Sequence, residues 1–588
     1  MRILVYSETS GASVAANLGM AEYSYFFILD KYQPVLEQLG RVQRVEDPEL
    51  EVDALYEEAR REGERCVFLS FTPPHRTARN LRCPTVAVLA WEFDRIPNES
   101  WDDNPWNDWV RAIREIGAVV TISDYATRII RRQVGRGVLV ETVPAPIAAV
   151  GEGLGGWRSL LSNVGHRAHA SAHVPGTTRE LDLEAGIIDT RALAIDAEGV
   201  SPLSETGSGV YHAGRRWEGD PVSWDFSLEG GGDSQYLLGF YEEEHWGSWS
   251  KTARPSVILP WLLTGPLVLD LEVQAYGDNV DRELRIVIGR CEQRLILPAS
   301  LRRFSLAFEV PEDGATRIQF YGLAAIAASG ARDHRTLGLG LASLRLRRPE
   351  GSGGSAAPST AATGLINAAV QRLQLDGTVY TSVFNPVDGR KNWEDMVTAF
   401  CWAFRDDPRK TLVLKMSHHN RSTFLGKLLL LFSRLSPFRC RIVALHGFLP
   451  DQQLRELMSA TDFFVNTSLA EGQCLPLLEF MAEGVPAISP DHTAMATYIN
   501  DRNSYVVRSS EQPHIWPNDP RRAYRTVSHR IDWDDLRRCY LASAEVTPDR
   551  YQAMSQAASS EVRRHYSTDR VYRQLRRVLR KASARRGA

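Results

Sequence analysis

The sequence lacks several things, and each absence removes a class. Its 588 residues hold seven cysteines, an odd number, and no Cys-x-x-Cys pair. A disulfide framework and a cysteine-based zinc site are therefore not expected, and the pattern fits a reducing compartment. The net charge is only −3, so no global field favours nucleic acid as a partner. No uninterrupted apolar run reaches the roughly 18–20 residues of a membrane span. The nearest run, Ser256 to Leu269, is broken by Pro260, Gly265 and Pro266 and is followed by Asp270, so it reads as strands. The N-terminus opens directly on a strand, Ile3-Leu4-Val5-Tyr6, without the charged and apolar regions of a secretory signal. There is no short-period repeat and no convincing cluster of metal ligands. The expected location is the cytoplasm, with peripheral contact at an anionic membrane.

What is present is an ordinary soluble composition, 43% hydrophobic and 24% charged, at a length for about three or four domains. Residues 1–150 alternate buried-strand runs with helix-period segments. The strand runs are Ile3 to Tyr6, Cys66 to Ser70, Thr85 to Ala90, Ala118 to Ile122 and Val138 to Val143; the helical segments include Pro48 to Glu62 and Trp106 to Ile116. Such alternation predicts a parallel α/β sheet. Residues 151–185 are rich in Gly, Ser, His and Ala and read as a flexible linker. Residues 186–348 carry short β-like runs, such as Leu284 to Ile288, Arg303 to Val310 and Thr316 to Tyr321. Turn formers such as Pro311-Glu312-Asp313-Gly314 separate them. That spacing predicts an inserted all-β domain, a sandwich or jelly roll. A Gly/Ser linker, 349–364, follows, and α/β alternation resumes over 365–588. Strand candidates there are Val379 to Phe384, Thr411 to Met416, Ile442 to Leu445, Phe463 to Asn466 and Ala487 to Ser489. Helix candidates are Trp393 to Phe404, Pro450 to Ala460, Leu475 to Glu483 and a basic C-terminal stretch, Pro548 to Lys581.

The segment from Asp462 to Ile488 carries the chemistry. A strand ends near Asn466, and a polar loop holds Ser468, Glu471 and Gly472. Pro476 suits the first turn of a helix. Glu479 lies within that turn or just past it, Gly484 stops the helix, and Pro486 leads into the next strand. In a parallel sheet, a strand, a loop and a helix N-terminus make an anion site, because free amides and the positive helix end face the ligand. Two carboxylates beside that site suit sugar hydroxyls. Two glutamates eight apart say little alone, and Glu479 also reads as a first-turn carboxylate interacting with the helix dipole.

This segment resembles the E-x7-E signature of retaining group 1 glycosyltransferases: a loop Ser, Glu-Gly, Pro-x-x-Glu and Ala-x-Gly-x-Pro are all present. The resemblance implies the GT-B fold, twin Rossmann-like domains interrupted here by the β insertion. It assigns the donor sugar to Glu471 and the nucleotide ribose to Glu479, with Gly472, Gln473, Cys474 and Leu475 in the donor loop. The family's usual Phe-Gly is replaced here by Gln473-Cys474. In Asn385 to Asn392 the resemblance gives Lys391 the diphosphate. The family's first Arg falls at Asn385, and Arg390 is the cation available to compensate. His446-Gly447-Phe448 stands where the family's loop faces the base, so Gly447 joins the nucleotide set.

On the acceptor side, Gly11 follows the first strand. His75, Trp91 and Glu92 stand at strand ends, where open α/β sheets place ligands, with Trp101, Trp106 and Trp109 nearby. Rings beside carboxylates suit sugars; the tryptophans also read as a cap over the sheet end. Thr121-Ile122-Ser123-Asp124-Tyr125 resembles the family's strand-to-helix turn. The implied reaction needs no protein nucleophile, no metal and no cofactor: a nucleotide-diphosphate sugar is the donor, and a glycan or lipid-linked saccharide the acceptor, in polysaccharide or lipopolysaccharide assembly. Two further features stand outside the resemblance. One is the aromatic and acidic cluster Gly239 to Ser250, which reads as glycan-binding or as a packed spacer. The other is the basic C-terminal helix, which reads as a lipid-facing or a solvated surface. The competing reading is a non-catalytic carbohydrate-binding protein on a decayed scaffold, which the Asn385 departure favours and the intact Glu471, Glu479 and Lys391 set opposes.

Overall fold

The computed structural model describes residues 1–8, 23–147, 178–196, 199–202, 217, 219, 221–228, 236–328, 335–349, 371–418 and 422–585. Gly11 and most of both expected linkers lie outside the described residues. The chain forms two compact units. One holds Met1–Leu181, Gln374–His419 and Gly447–Ala588; the other holds Asp182–Leu373 and Asn420–His446.

The first unit contains two parallel sheets. Its N-terminal half orders six strands as Arg41–Arg44, Arg2–Tyr6, Cys66–Ser70, Thr85–Leu89, Ala118–Thr121 and Leu139–Thr142. Cys66–Ser70, Thr85–Leu89 and Ala118–Thr121 are buried at every position, as a parallel sheet covered on both faces requires. The helices between them carry their own end signals. Asp47 caps Pro48–Arg61, with Glu49 and Glu51 in the first turn and Arg60 and Arg61 in the last. Ser123 caps Asp124–Val134. The expected helix from Trp106 is divided. A 3-10 turn, Pro105–Asn107, precedes Trp109–Ile116, because the Asp108 side chain caps the amide of Arg111 and fixes the start there.

The second sheet of this unit runs in the order Ser504–Val506, Ala487–Ser489, Phe463–Val465, Thr378–Phe384 and Lys410–Met416, all parallel. From Thr378–Phe384 the chain goes to one side for Lys410–Met416 and returns to the other for Phe463–Val465. The loops after Thr378–Phe384 and Phe463–Val465 therefore leave the sheet in opposite directions and open a crevice, the place where such sheets bind ligands.

The expected single C-terminal helix is two, Pro548–Tyr566 and Thr568–Arg585. The second does not stay with the C-terminal half. Val571, Leu575, Val578, Leu579 and Ala582 complete the core of the N-terminal half, packing with Ile3, Val67, Leu69 and Val140. Lys581 pairs with Glu141 at 2.7 Å. Arg570, Arg573, Arg576, Arg577 and Arg580 stay exposed on the other side of the helix.

In the second unit an eight-stranded antiparallel sheet is built around two 20-residue strands, Ser256–Ala275 and Arg302–Tyr321. The turn expected at Pro311 to Gly314 is absent: the strand runs through it and pairs on both sides of a register shift near Leu263 and Gly265. Bulges of this kind bend a strand without ending it. Leu267, Leu269, Leu271, Ile286, Ile318 and Phe320 belong to one apolar core. Trp246 and Trp249 are half-buried, 5.0 Å apart, with Tyr276 5.9 Å from Trp249. They lie against Gly340, where a Cβ would come 2.7 Å from Trp246 and 3.0 Å from Trp249. Glu244 accepts from the Trp246 indole at 2.9 Å and pairs with Arg335 at 2.7 Å. Gly186–Asp189, placed by its pattern in the inserted domain, pairs instead with Arg441–His446. The buried Asp189–Arg441 ion pair fixes that contact, two bonds of 3.1 Å among them.

Candidate active site

The basic loop after Thr378–Phe384 is held at three points. Trp393, fully buried, donates its indole N–H to the carbonyl of Pro386 at 3.0 Å. Asn385 closes the turn by accepting from the Val387 amide at 3.1 Å. Thr467, on the facing loop, donates to the carbonyls of Lys391 and Asn392, both at 3.0 Å. These bonds bring Lys391 to Glu471: Nζ to Oε1 is 2.6 Å, and Ser468 donates its hydroxyl to the same oxygen at 2.6 Å. The Glu471 amide donates to the hydroxyl of Thr493 at 3.1 Å. Thr493 has a φ of +52°, a strained conformation for a β-branched residue. Burial is the largest influence and works against the Lys391 ammonium, but Glu471, with Asp388 and Cys474 behind it, holds its pKa above the ordinary value.

Arg390 is fully committed to neighbours. It forms a fork with Asp388 at 2.7 and 3.2 Å, pairs with Glu92 at 2.8 Å and donates to the carbonyl of Ala470 at 3.3 Å. Burial disfavours its charge as well, and Asp388, Glu92 and Glu471 outweigh that. Desolvation raises the pKa of Glu92, with Arg390 acting the other way. Glu92 belongs to the N-terminal half and Arg390 to the C-terminal half, so the pair spans the crevice. Arg390 is thus the fastening and Lys391 the cation facing Glu471.

The helix Leu475–Ala482 has Pro476, which carries no N–H, in its first turn and no side-chain cap, so the amides of Leu475 and Leu477 are its leading donors. Cys474 enters it with a φ of +57°, and burial raises its thiol pKa. Leu475 is partly buried against the N-terminal core. Glu479 is paired with Lys31 across the crevice. Gly472 packs on the N-terminal half: a Cβ there would lie 3.4 Å from the Trp91 amide nitrogen.

Three of the named residues take other roles. The Gln473 side chain is buried and its amide makes both hydrogen bonds of Ala145, 2.9 Å from the backbone N–H and 2.8 Å to the carbonyl. That amide ties the halves together, so it is not available to hold a sugar. Asn385 shapes its turn and supplies no cation. The Trp91 ring is 2% exposed, packed among Phe93, Trp109 and Trp516, with its N–H on the carbonyl of Arg95 at 3.0 Å. As an acceptor platform it is excluded, because an apolar ring of that size gains more from core burial than from a wet cleft. His75 stacks on Trp109 at 5.5 Å, and burial lowers its pKa to about 4, so it is neutral. Its Nδ1 is buried without a hydrogen-bond partner. Gly447 has a φ of +119° at the head of the loop into Asp451–Ser459.

Sequence reasoning passed over Lys31, Asp388 and Thr493. Asp388 stood inside the quoted basic segment; Lys31 sits on a helix, Tyr23–Leu39, whose apolar spacing is interrupted by Pro34. Among the described residues, no group of three or more His, Cys, Asp or Glu is arranged to hold a metal ion, and no helix is long and apolar enough to cross a membrane.

Residues 430–516, which include Ser468, Glu471 and Glu479, match the family described as Glycosyl transferases group 1. Over that segment the chain is similar to group 1 glycosyltransferases. Residues 215–348 match a domain of unknown function (DUF7024). No curated protein matches this chain. Among solved structures, similarity is found to TarM of S. aureus in complex with UDP, at 12% identity and a TM-score of 0.27 over 34% of this chain and 35% of that one. The pneumococcal O-GlcNAc transferase GtfA, with UDP and GlcNAc, is 17% identical over 35% of each chain, TM-score 0.26. Sucrose-phosphate synthase of Thermosynechococcus elongatus is 17% identical, TM-score 0.27, over 35% of this chain and 46% of that one. The overlap thus takes in less than half of each of these three solved chains.

Proposed function

We propose that this chain is a retaining glycosyltransferase of the GT-B type, moving a sugar from a nucleotide-diphosphate sugar to a glycan or lipid-linked saccharide in polysaccharide or lipopolysaccharide assembly. The observation that carries the reading is the Lys391–Glu471 pair at 2.6 Å, set where the strand order reverses and beside an uncapped helix N-terminus. A cation, a carboxylate and free amides at that point suit a sugar diphosphate.

In this reading the diphosphate lies on Lys391 and the amides near Leu475. Glu471 takes hydroxyls of the transferred sugar, and Glu479 takes the ribose. The bond from the anomeric carbon to the diphosphate breaks as the acceptor oxygen bonds to the same carbon on the same face. The acceptor proton passes to the departing phosphate oxygen. The protein's share is alignment and charge stabilisation, which asks for no nucleophile, metal or cofactor. Glu92 and His75 face the acceptor. The inserted β unit, a sandwich in this reading, holds glycan through Trp246, Trp249 and Glu244, and the exposed arginines of Thr568–Arg585 rest on anionic lipid.

The test is binding and turnover of UDP-, GDP- and ADP-sugars by wild type and Lys391→Ala. Turnover of one donor with retained anomeric configuration, lost in the variant, supports the reading. Binding of no donor overturns it, and inverted product overturns the retaining part.

A further inference from the structure

Glu479 is held from the opposite half of the same unit. The helix Tyr23–Leu39 buries Tyr25, Ile28, Leu29, Tyr32, Val35 and Leu36 in the N-terminal core and turns Lys31 outward onto Glu479, Nζ to Oε1. Lys31 is one-third exposed and Glu479 about one-fifth, so the pair sits at the crevice wall, neither deeply buried nor free in solvent. Asp451, the first residue of the helix after the Gly447 loop, also acts on Lys31. Asp451 is the weakest of the charges acting on Lys31, after Glu479 and Asp30.

We propose that Lys31 is a positioning residue of the nucleotide site: it fixes one oxygen of Glu479 from the N-terminal half and leaves the carboxylate's remaining lone pairs for the ribose hydroxyls. The inference rests on the ribose role given to Glu479 above. A carboxylate accepts about four hydrogen bonds, so one ammonium and two hydroxyls fit together on it. An unheld glutamate one turn into a helix would lose rotamer freedom on binding; one already fixed by Lys31 loses less, and binding is tighter by that difference. Glu479 is then set only while the two halves stay together, which makes donor affinity depend on a residue that the nucleotide need not touch.

The test uses the full chain, the tightest binder among UDP, GDP and ADP, and inorganic pyrophosphate as a probe that lacks ribose. Lys31→Met is expected to weaken nucleotide binding about tenfold, the scale of one charge-assisted contact reduced for exposure, with pyrophosphate binding unchanged. Lys31→Arg recovers most of the loss. Lys31→Met with Glu479→Gln binds no more weakly than Glu479→Gln alone. Additive losses, equal loss of pyrophosphate binding, or unchanged or tighter nucleotide binding by Lys31→Met overturn the proposal. If Glu479→Gln binds nucleotide as wild type does, the ribose reading has failed, and Lys31 with it.

Discussion

Glu471→Gln separates a site residue from a structural one, because stability and ligand affinity should move in opposite directions. The wild-type carboxylate stands 2.6 Å from the Lys391 ammonium, with side chains 6% and 19% exposed. At an effective dielectric of about 20, the attraction at that distance is about 6 kcal/mol. Desolvation of both charges offsets part of it, and removing one partner of a buried pair costs about 3–5 kcal/mol. The glutamine amide keeps its shape and one acceptor oxygen for Ser468 or Lys391, so the lower end applies, about 3 kcal/mol. The ammonium left behind still has Arg390 beside it as a repulsive neighbour. An added anion should therefore be welcomed: inorganic pyrophosphate is expected to bind about tenfold more tightly than to wild type, while sugar transfer is lost. Urea unfolding midpoints at equal slope measure the first effect and calorimetric titration the second. A variant as stable as wild type, or one that binds pyrophosphate no better, would refute the view that Lys391 is an anion-binding cation held in reserve by Glu471.

Three further outcomes follow from other contacts. Gln473→Leu leaves the N–H and carbonyl of Ala145 buried and unpaired, so thermal unfolding should fall by about 2–3 kcal/mol, with the preference among donors unchanged in binding assays. His492, stacked on His529 at 4.2 Å, has its pKa lowered by burial to about 3, against about 6.5 when unfolded. The unfolded chain thus takes up a proton that the folded chain refuses. Stability is full above about pH 6.5 and falls as pH drops toward 3, by up to about 1.4 kcal/mol per pH unit; His492→Phe should flatten that slope in unfolding midpoints measured from pH 7 to 4. Vesicles of phosphatidylglycerol and phosphatidylcholine should sediment the chain at low salt and release it at about 0.5 M salt. Replacing Arg573, Arg576, Arg577 and Arg580 with Gln should abolish sedimentation, and retention by neutral vesicles or by the variant would remove the lipid contact.

Much of the crevice was legible because local signals and global need agreed there. Trp393–Phe404 and Ala487–Ser489 have the expected bounds, and Leu475–Ala482 begins where Pro476 predicts and stops before Gly484. Apolar runs, Pro and Gly act within a few residues, and a sequence displays them directly. What stayed hidden was settled by partners far along the chain. Nothing near Gln473 announces that Ala145 will take both ends of its amide, and nothing near Arg390 announces Glu92. Trp91 kept two readings, sugar platform and cap over the sheet end, for the same reason, since an aromatic residue at a strand end looks alike whether a sugar or three other rings cover it. The Pro311 to Gly314 segment shows the converse: its turn residues are strong locally, yet the strand continues past them, held by pairing with Ser256–Ala275 on either side, at Val310 and at Ala315.

The helix Thr568–Arg585 packs its apolar side into the sheet that begins at Arg2. During synthesis the first strand leaves the ribosome more than 500 residues ahead of the side chains that finish its core. Until Val571, Leu575 and Val578 emerge, the N-terminal half exposes the apolar surface that they will cover. That half is therefore a dependent of a helix made long after it, and the time spent waiting for it is when chaperones or proteases would find the chain.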